Sequence, residues 1–429
     1  MHSFSFHNNA LHAEEVSLVD IAEQQGTPTF VYSANTIRES FNRLNDSLAN
    51  IDHEVAYAVK ANSNIAILKL LNGLGASFDI VSGGELFRVV KAGGNPAKCT
   101  FAGVGKTREE ISYALELGIH AFNVESEAEL NFINKVAGEM GKKAPISIRI
   151  NPNVDAKTHK YISTGKSENK FGIDFHVILD VYARAAEMEH IQIKGLQMHI
   201  GSQLTTVQPF REAVAKVAPI AAELKEKYGL EFFSIGGGIG IIYDPALESG
   251  SEQWWTSHKP EEAPLTPEKY AEELIPLLKP LGLKILLEPG RFIAGNAGVL
   301  LTRCLYEKKG TAKTFKIVDA GMNDLIRPAL YQGHHEIVPL TQQGPRATVT
   351  TDVVGPVCET GDFFCQDREL PDFQEGELLA LMSAGAYGAA MGSTYNSRPL
   401  PAEILVDGDS ATVIRKRQSL EELIGQEVF

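Results

Sequence analysis

Lys60 occupies the position in this chain that most suggests chemistry. It lies in the motif Tyr57-Ala-Val-Lys60-Ala-Asn62, directly after the apolar run His53–Val59, which is typical of a short buried β-strand. Partial burial lowers the pKa of a lysine ammonium, and the neutral amine is the form that attacks a carbonyl carbon. A strand-end lysine can also simply extend its ammonium back into water. The other motifs of the chain favour the chemical role.

A run of glycines in Ser234-Ile-Gly-Gly-Gly-Ile-Gly240 indicates an anion site. Glycines let backbone N–H groups approach a ligand without interference from Cβ atoms, and turns of this kind bind anions. An isolated glycine run is more often a tight turn. This run follows the seventh of eight predicted strands, where a closed barrel of parallel strands commonly binds phosphate. We therefore predict that Gly236, Gly237 and Gly238 hold a phosphate group.

Glu288 and His199 complete the set of candidate chemical residues. In Glu288-Pro-Gly-Arg291 the carboxylate either belongs to a turn with a solvated ion pair or faces a protonated ring nitrogen, which would keep that ring electron-withdrawing. In His199-Ile-Gly-Ser-Gln203 the histidine is either structural or lies flat against an aromatic cofactor, with Ser202 donating to a phosphate. An amine, a phosphate turn, an acid for a ring nitrogen and a planar side chain together predict pyridoxal 5'-phosphate.

Strands and helices alternate between residues 35 and 295, and they must position these groups. Helix Thr36–Leu48 carries its apolar residues on one face. Thr107-Arg-Glu-Glu110 and Ser126-Glu-Ala-Glu129 predict capping boxes, and Thr266-Pro267 predicts a further helix start. The predicted strands are Val55–Val59, Ser77–Val81, Cys99–Ala102, His120–Val124, Ile146–Ile150, Gly195–His199, Phe232–Ile235 and Lys284–Leu287. Eight strand–helix units in about 260 residues match a (β/α)8 barrel of the TIM type.

An open, doubly wound sheet would show a similar alternation, so the candidate residues decide between the two folds. Lys60, Asp79, His199, Gly236–Gly238 and Glu288 all lie at the carboxyl ends of predicted strands. In a closed barrel these ends meet at one mouth, whereas the first and last strands of an open sheet lie far apart. The pattern favours the α/β barrel.

The chain after residue 296 predicts a second domain, an all-β sandwich or barrel. Its strand-like runs are Val299–Tyr306, Thr314–Val318, Glu336–Leu340, Ala347–Val354, Glu377–Met382, Glu403–Val406 and Thr412–Arg415. Residues 1–34 are expected to add the strand Thr29-Phe-Val-Tyr32 to it, and Tyr243–Pro264 is expected to form a long loop. The predicted domains are therefore residues 35–295, and residues 1–34 together with 296–429.

Composition excludes several classes of protein. The 429 residues are 44% hydrophobic and 22% charged, as in a globular protein with two domains. A net charge of −14 argues against sequence-independent binding of nucleic acid. The sequence predicts no membrane span, no secretory signal and no metal site, and its four cysteines suggest no disulfide framework. The expected compartment is the reducing cytoplasm.

In combination these motifs resemble the fold-type III pyridoxal-phosphate decarboxylases, a family that includes the ornithine, arginine and diaminopimelate enzymes. Further segments are similar to the diaminopimelate branch of that family, and they extend the resemblance over the whole chain. They are His159-Lys-Tyr-Ile-Ser-Thr-Gly165, Lys170-Phe-Gly-Ile173, Arg327-Pro-Ala-Leu-Tyr331, Gly355-Pro-Val-Cys-Glu-Thr-Gly-Asp362 and Gly385-Ala-Tyr-Gly388. Thr360 stands where the family frequently has serine, and it keeps the hydroxyl.

The resemblance implies a role for each matching residue. Lys60 would hold the cofactor as a Schiff base and exchange it for the amine of the substrate. Cys358 would be the proton donor or its close partner, although an isolated cysteine is usually a small buried hydrophobe. Glu359 would meet the distal amine of the substrate. The implied cofactor contacts are Lys60, Asp79, His199, Ser202, Gly236, Gly237, Gly238, Glu288, Pro289, Gly290, Arg291 and Tyr387. The implied substrate contacts are Arg291, Arg327, Tyr331, Glu359 and Tyr387.

The implied activity is the decarboxylation of meso-2,6-diaminopimelate to L-lysine, the last step of lysine biosynthesis, by a homodimer with shared active sites. One alternative is a related decarboxylase that acts on ornithine, arginine or carboxynorspermidine. Others are a cofactor-binding protein without turnover, which the complete residue set disfavours, and a racemase on the same barrel. A racemase normally places an arginine against the ring nitrogen, whereas Glu288 favours protonation of that nitrogen.

Overall fold

A computed structural model describes residues 2–154, 170–258, 264–342 and 344–428. In chain order its strands are β1 Phe4–His7, β2 Ala10–Ala13, β3 Val16–Ser17, β4 Thr29–Ser33, β5 His53–Ala58, β6 Ser77–Ile80, β7 Cys99–Phe101, β8 Ala121–Val124, β9 Ala144–Asn151, β10 Ile173–Asp174, β11 Ile191–Met198, β12 Phe232–Ser234, β13 Lys284–Leu287, β14 Gly298–Lys309, β15 Thr314–Val318, β16 Ile337–Pro339, β17 Thr348–Val354, β18 Phe363–Pro371, β19 Leu378–Leu381, β20 Ala402–Asp407 and β21 Ser410–Arg415.

The α-helices of the same residues are α1 Leu18–Gln25, α2 Ala34–Ser47, α3 Ile65–Gly73, α4 Gly83–Lys91, α5 Arg108–Leu117, α6 Glu127–Glu139, α7 Ile178–Ala186, α8 Gln208–Tyr228, α9 Glu252–Ser257, α10 Pro267–Leu278, α11 Arg291–Ala294, α12 Arg327–Tyr331 and α13 Leu420–Ile424. Within the described part of the chain, no helix has both the length and the apolar character that a membrane crossing requires.

The chain divides into two compact units. The barrel unit comprises Ser40–Gly240 and Pro264–Phe292. The sheet unit comprises Met1–Glu39, Ile241–Ala263 and Ile293–Phe429.

Eight parallel strands close the barrel unit into a ring. Their order is β5, β6, β7, β8, β9, β11, β12 and β13, and β13 pairs again with β5. The two-residue strand β10 adds to β9 outside this ring. The eight strands predicted from the sequence coincide with these eight. The prediction of a (β/α)8 barrel is therefore confirmed.

Burial on both faces explains why these segments form parallel strands. Every residue of β6, β7 and β8 is buried, as is typical of parallel strands that helices cover. Phe232 of β12 packs with Ala121 and Leu286 from two other strands. Its ring lies beside Gly195, its register partner on β11, where a Cβ atom would be 2.5 Å from the ring. The bulk of Phe232 thus requires a residue without a side chain at position 195.

The two predicted capping boxes have different outcomes. At the start of α5, Thr107 and Glu110 exchange side-chain to backbone hydrogen bonds, as predicted. At the start of α6, Ser126 accepts the backbone N–H of Glu129, but the Glu129 carboxylate accepts the N–H of Glu125, one residue before the cap, and a 2.6 Å hydrogen bond from Lys106. The second box was wrong because the Lys106 side chain is only 1% exposed, and a buried ammonium needs a carboxylate partner.

A nine-stranded sheet forms the core of the sheet unit. Its order is β18, β17, β15, β14, β4, β20 and β21, with β19 and then β16 attached at β14. The N-terminal strand β4 lies between β14 and β20, so the prediction that residues 29–32 add a strand to this domain is confirmed. A separate three-stranded sheet consists of β1, β2 and β3.

Strand β18 and the segment Tyr243–Pro264 of the sheet unit differ from the sequence prediction, which also lacked strands β1–β3 and helix α1. Strand β18 was missed, because it is an edge strand whose charged residues give it little apolar alternation; such charges are common protection on sheet edges. The predicted loop Tyr243–Pro264 was wrong for Glu248–Gly250, which form a 3-10 turn, and for the six residues of the short helix α9; residues 259–263 lie outside the described residues. Ser251 caps this helix by accepting the backbone N–H of Trp254.

Replacing Gly195 with alanine should destabilise the barrel unit. The new methyl group would lie 2.5 Å from the Phe232 ring, and overpacking of this kind costs about 1–3 kcal/mol. Denaturant unfolding followed by circular dichroism measures the loss. Gly73→Ala is the matched control, because no heavy atom lies within 4 Å of a Cβ there. Equal unfolding midpoints for the two variants would show that the Phe232 ring moves aside without cost.

Candidate active site at the barrel mouth

Lys60 lies at the barrel mouth and pairs with a buried carboxylate. It follows β5 in a short 3-10 turn, and Ala58 of β5 lies in register with Asp79 of β6. The ammonium therefore reaches Asp79 Oδ2 at 2.5 Å; the Lys60 side chain is 39% exposed and that of Asp79 is 1% exposed. Asp79 Oδ1 is buried and has no hydrogen-bond partner among the described residues. Both residues were predicted as site residues from the sequence, but their pairing was not predicted.

Glu288 is a buried acid that follows β13 and is held by donors from three other strands. Its carboxylate accepts hydrogen bonds from Ser234 Oγ at 2.6 Å, from Gln197 Nε2 at 3.1 Å and from Asn123 Nδ2 at 3.5 Å. Burial raises the pKa of Glu288 to about 7, and the negative charge of Asp79 adds to the shift. The sequence assigned no role to these three donors, because each lies on a different strand and they meet only in the folded barrel.

His199 follows β11 and is a neutral ring. Burial holds the pKa of His199 well below its usual range, and the positive charges of Arg149 and Lys60 act in the same direction. Its Nδ1 accepts the backbone N–H of Gly237 at 3.3 Å, so the ring hydrogen resides on Nε2. A neutral imidazole with a fixed tautomer is suited to lie against an aromatic ring without adding charge to it.

The glycine turn after β12 is required by close packing of the strand exits. A Cβ atom on Gly237 would lie 2.0 Å from the carbonyl oxygen of Glu288, and one on Gly238 would lie 2.4 Å from that of Gly201. The N–H of Gly236 donates to Ser234 Oγ, and that of Gly237 donates to His199. The N–H of Gly240 likewise donates to the carbonyl of Leu204, and the phosphate contacts of this turn stay a prediction.

Arg291 and its preceding turn pack against the lysine turn. The backbone N–H of Ala58 donates to the carbonyl of Pro289 at 2.9 Å, and a Cβ atom on Gly290 would lie 2.9 Å from Ala61. Arg291 is buried, and its Nη2 donates to Ser202 Oγ at 3.2 Å. Arg291 and Ser202, both predicted as cofactor contacts, therefore lie together.

Glu85 is a third acid near Lys60, and it was not predicted from the sequence. Glu85 lies in the first turn of α4, and its Oε2 accepts the backbone N–H of Val81 at 2.7 Å. Burial raises the pKa of Glu85 to about 7, whereas the positive charge of Lys60 opposes the shift. The only local signal was an acidic residue near a helix start, which many helices have.

In the sheet unit, Arg327 is buried at the start of α12. Its Nη1 lies 2.7 Å from His335 Nε2, and its guanidinium lies 4.5 Å from the centre of the Tyr243 ring. Tyr331 ends the same helix. Tyr387 has a φ of 56°, a left-handed conformation that is unusual for a tyrosine and recurs at functional sites.

Cys358 and Glu359 lie on a tight turn of the sheet unit that neighbouring segments hold. The thiol is exposed, which excludes the role of a small buried hydrophobe. The backbone N–H of Cys358 donates to Asn396 Oδ1 at 2.8 Å, and the hydroxyl of Tyr395 donates to Glu359 at 3.2 Å. Asp362 accepts two backbone N–H groups at 2.6 Å, and burial raises its pKa. Sequence reasoning missed Tyr395 and Asn396.

Of the two motifs His159–Gly165 and Lys170–Ile173, the first falls outside the described residues. In the second, the centre of the Phe171 ring lies 4.9 Å from the guanidinium of Arg149, and the N–H of Gly172 donates to Glu125.

The barrel mouth as a whole fits pyridoxal 5'-phosphate. Lys60 offers an amine, His199 a neutral planar ring, and Arg291 with Ser202 a cation and a hydroxyl suited to a phosphate. Asp79 and Glu288 are two buried carboxyls, and Asp79 keeps one oxygen without a partner among the described residues, a situation that a cationic ring would relieve. This combination defines a barrel enzyme of the pyridoxal-phosphate class.

Comparisons with known proteins agree with this assignment to the pyridoxal-phosphate class. The family model for the pyridoxal binding domain of pyridoxal-dependent decarboxylases matches residues 34–295. Diaminopimelate decarboxylase of Pseudomonas aeruginosa is 48% identical, over 100% of this chain and 99% of that protein. The crystal structure of the Helicobacter pylori diaminopimelate decarboxylase complexed with L-lysine is 42% identical, with a TM-score of 0.87 over 95% of this chain and 98% of that one. The chain belongs to the pyridoxal-dependent decarboxylases, in their diaminopimelate decarboxylase branch.

Replacing Glu288 with glutamine should change how the stability of the cofactor-stripped protein depends on pH. The folded-state pKa of about 7 exceeds the usual 4.5, so the folded chain binds more protons between these values and its stability falls as pH rises through them. Lys60 and Asp79 are the charged groups that face it. The variant should lose that fall, which amounts to about 3 kcal/mol at about 1.4 kcal/mol per pKa unit.

Thermal or denaturant unfolding between about pH 5 and 8.5, a range that spans the raised pKa of Glu288, measures this difference. Glu421→Gln makes the same charge change at an exposed position of α13 and serves as the control. Parallel stability curves for the wild type and Glu288→Gln would contradict the raised pKa of this carboxyl.

Proposed function

We propose that this protein uses pyridoxal 5'-phosphate to decarboxylate meso-2,6-diaminopimelate to L-lysine. The observation that carries the proposal is the 48% identity to a diaminopimelate decarboxylase along nearly the full length of both chains. The crystal structure of diaminopimelate decarboxylase from M. jannaschii in co-complex with L-lysine is 35% identical, with a TM-score of 0.89 over 100% of this chain and 98% of that one. L-Lysine, the ligand of that complex, is the product that we propose for this protein.

The residues of the barrel mouth have separate tasks in this proposal. Lys60 holds the cofactor through its amine. When that amine is released and protonated, Asp79 accepts a hydrogen bond from its ammonium. Glu288 keeps a proton on the ring nitrogen, and Gly238 with Ser202 and Tyr387 of the cofactor set binds the phosphate. When bound, the cofactor supplies an electron-withdrawing ring for the electron pair that remains after CO2 departs.

The substrate carries two amino-acid head groups, and the sheet unit supplies residues for the distal one. Arginine binds carboxylates in a bidentate manner, which suits Arg327 for the distal carboxylate, with Tyr331 beside it on α12. Glu359 binds the distal ammonium. Cys358 has an exposed thiol, so it is accessible to deliver a proton to the carbon that loses CO2. Arg291, which is tied to Ser202, assists at the cofactor end.

Release of CO2 from individual amino acids tests the substrate. The purified protein, loaded with pyridoxal 5'-phosphate, should release CO2 from meso-diaminopimelate and not from ornithine, arginine or carboxynorspermidine, because these lack the second amino-acid head group. Lys60→Ala is the control and should abolish release. Release from ornithine with none from meso-diaminopimelate would refute the assignment in favour of a related decarboxylase.

We further propose a homodimer in which Cys358 of one chain serves the barrel mouth of the other. Two features support this arrangement. The thiol of Cys358 is exposed on its own chain. Three apolar residues after neighbouring barrel strands are also exposed, Ile65 at 40%, Val81 at 37% and Val104 at 39%, and such a group of apolar side chains is typical of a surface that a second chain covers.

Mixed dimers of two inactive variants test the shared site. When Lys60→Ala and Cys358→Ala chains exchange subunits, half of the dimers are mixed and each mixed dimer holds one site with both residues intact. Activity should return to roughly a quarter of wild type for random reassortment of a symmetric dimer. Mass spectrometry of differently tagged chains verifies the exchange. If exchange is complete and activity stays at the level of the single variants, Cys358 acts within its own chain.

Two broader assignments also stay proposals. We place the functional domain boundaries near residues 35 and 295, and we place the protein in the cytoplasm. The four free cysteines support a reducing compartment.

A further inference from the structure

We propose that Ser234, Gln197 and Asn123 are positioning residues that hold Glu288 in its ionised form and thereby determine how fully this protein protonates the ring nitrogen of its bound cofactor. The inference rests on the proposed function only in that the cofactor is pyridoxal 5'-phosphate. It assigns a role to three residues of the barrel wall, of which only Ser234 belongs to a sequence motif, as the first residue of the glycine run.

Ser234 makes the shortest of the three contacts, and its hydroxyl is oriented. Its Oγ accepts the backbone N–H of Gly236 at 3.2 Å, so its own hydrogen is directed to Glu288 Oε1 at 2.6 Å. Both atoms are buried, because Ser234 is 0% exposed and Glu288 is 6% exposed. Hydrogen bonds to a buried carboxylate are among the strongest in proteins.

Asn123 and Gln197 are turned toward Glu288 by their own environments. Asn123 Oδ1 accepts the hydroxyl of Ser147, which leaves Nδ2 to donate to Glu288 Oε1 at 3.5 Å. Gln197 Nε2 donates to Glu288 Oε2 at 3.1 Å, while its Oε1 is buried without a partner among the described residues. Gln197 therefore donates a hydrogen bond to the carboxylate, whereas its own side-chain carbonyl accepts none among the described residues.

The three residues present only hydrogens to the two carboxylate oxygens. A proton on either oxygen of Glu288 would meet another donor instead of an acceptor, so the arrangement favours the ionised carboxylate. Burial and the negative charge of Asp79 oppose ionisation, and Lys60 supports it. His199 is neutral, so it adds no charge to this balance. The donors therefore decide whether Glu288 or the ring nitrogen holds the shared proton.

Nitrogen-15 NMR of the holoenzyme, loaded with pyridoxal 5'-phosphate labelled at the ring nitrogen, tests the proposal. In Ser234→Ala the lost donor makes Glu288 a stronger base, so the ring signal should move toward the position of an unprotonated pyridine. Loss of one hydrogen bond to a charged group should change the ratio of protonated to unprotonated ring about tenfold. Turnover should fall with little change in KM, because the donors act on the ring and not on substrate binding.

Two further variants separate this role from a structural one. Ser234→Thr keeps the hydroxyl, so its ring-nitrogen signal should match that of the wild type. Ser77→Ala removes a hydroxyl that is equally buried, at 1% exposure, but has no partner among the described residues, and it should leave the signal unchanged. If Ser234→Ala fails to fold, Gln197→Met provides the same measurement.

The outcomes also separate this inference from the proposed function. A ring signal in Ser234→Ala, or in Gln197→Met, that matches the Ser77→Ala signal would overturn the role of the donors while the cofactor assignment stands. Failure of the wild-type protein to bind the labelled cofactor would overturn the proposed function and the inference with it.

Discussion

The site depends on direct backbone contact between the exits of neighbouring barrel strands. The carbonyl of Gly236 accepts the N–H of Glu288, and the carbonyl of Pro289 accepts the N–H of Ala58. At Gly237 the approach is so close that a Cβ atom would lie 2.0 Å from the Glu288 carbonyl. These contacts bring the glycine turn, the acid and the lysine turn together before any ligand binds. The scaffold is thus preorganised by main-chain packing, and side-chain chemistry is added to it.

Electrostatics divide the mouth into a compensated half and an acidic half. On one side, Lys106 pairs with Glu129 and Arg149 pairs with Glu125, and all four side chains are buried. Such buried pairs are tolerated because each charge has a partner and further hydrogen bonds. On the other side, Asp79 and Glu288 lie near Lys60, and burial raises the pKa of Glu288 to about 7. A cationic ring would offset the excess of buried negative charge there, which explains why this half of the mouth suits a pyridinium.

In the sheet unit, side-chain hydrogen bonds hold the turn that carries Cys358 and Glu359. The Cys358–Glu359 segment has an exposed thiol, and it is kept in place by a buried acid, Asp362, and by the neighbouring Tyr395–Asn396 segment. Asn396 has a φ of 58°, a left-handed conformation that asparagine tolerates better than most residues. Rigid support under this exposed group keeps the thiol in one orientation.

The sequence by itself determined the barrel and most of the candidate chemistry. Strand and helix periodicities depend on residues a few positions apart, and Lys60, His199, the glycine run and Glu288 each follow a strand that such periodicity identifies. Only the tertiary structure decided what these residues contact. The donors to Glu288 lie 54, 91 and 165 residues away along the chain, so no local pattern records them. The same limit explains the lost capping box, where Lys106, on another element, competes for the Glu129 carboxylate. It also explains Tyr395 and Asn396, whose roles exist only once the chain brings them against Cys358 and Glu359.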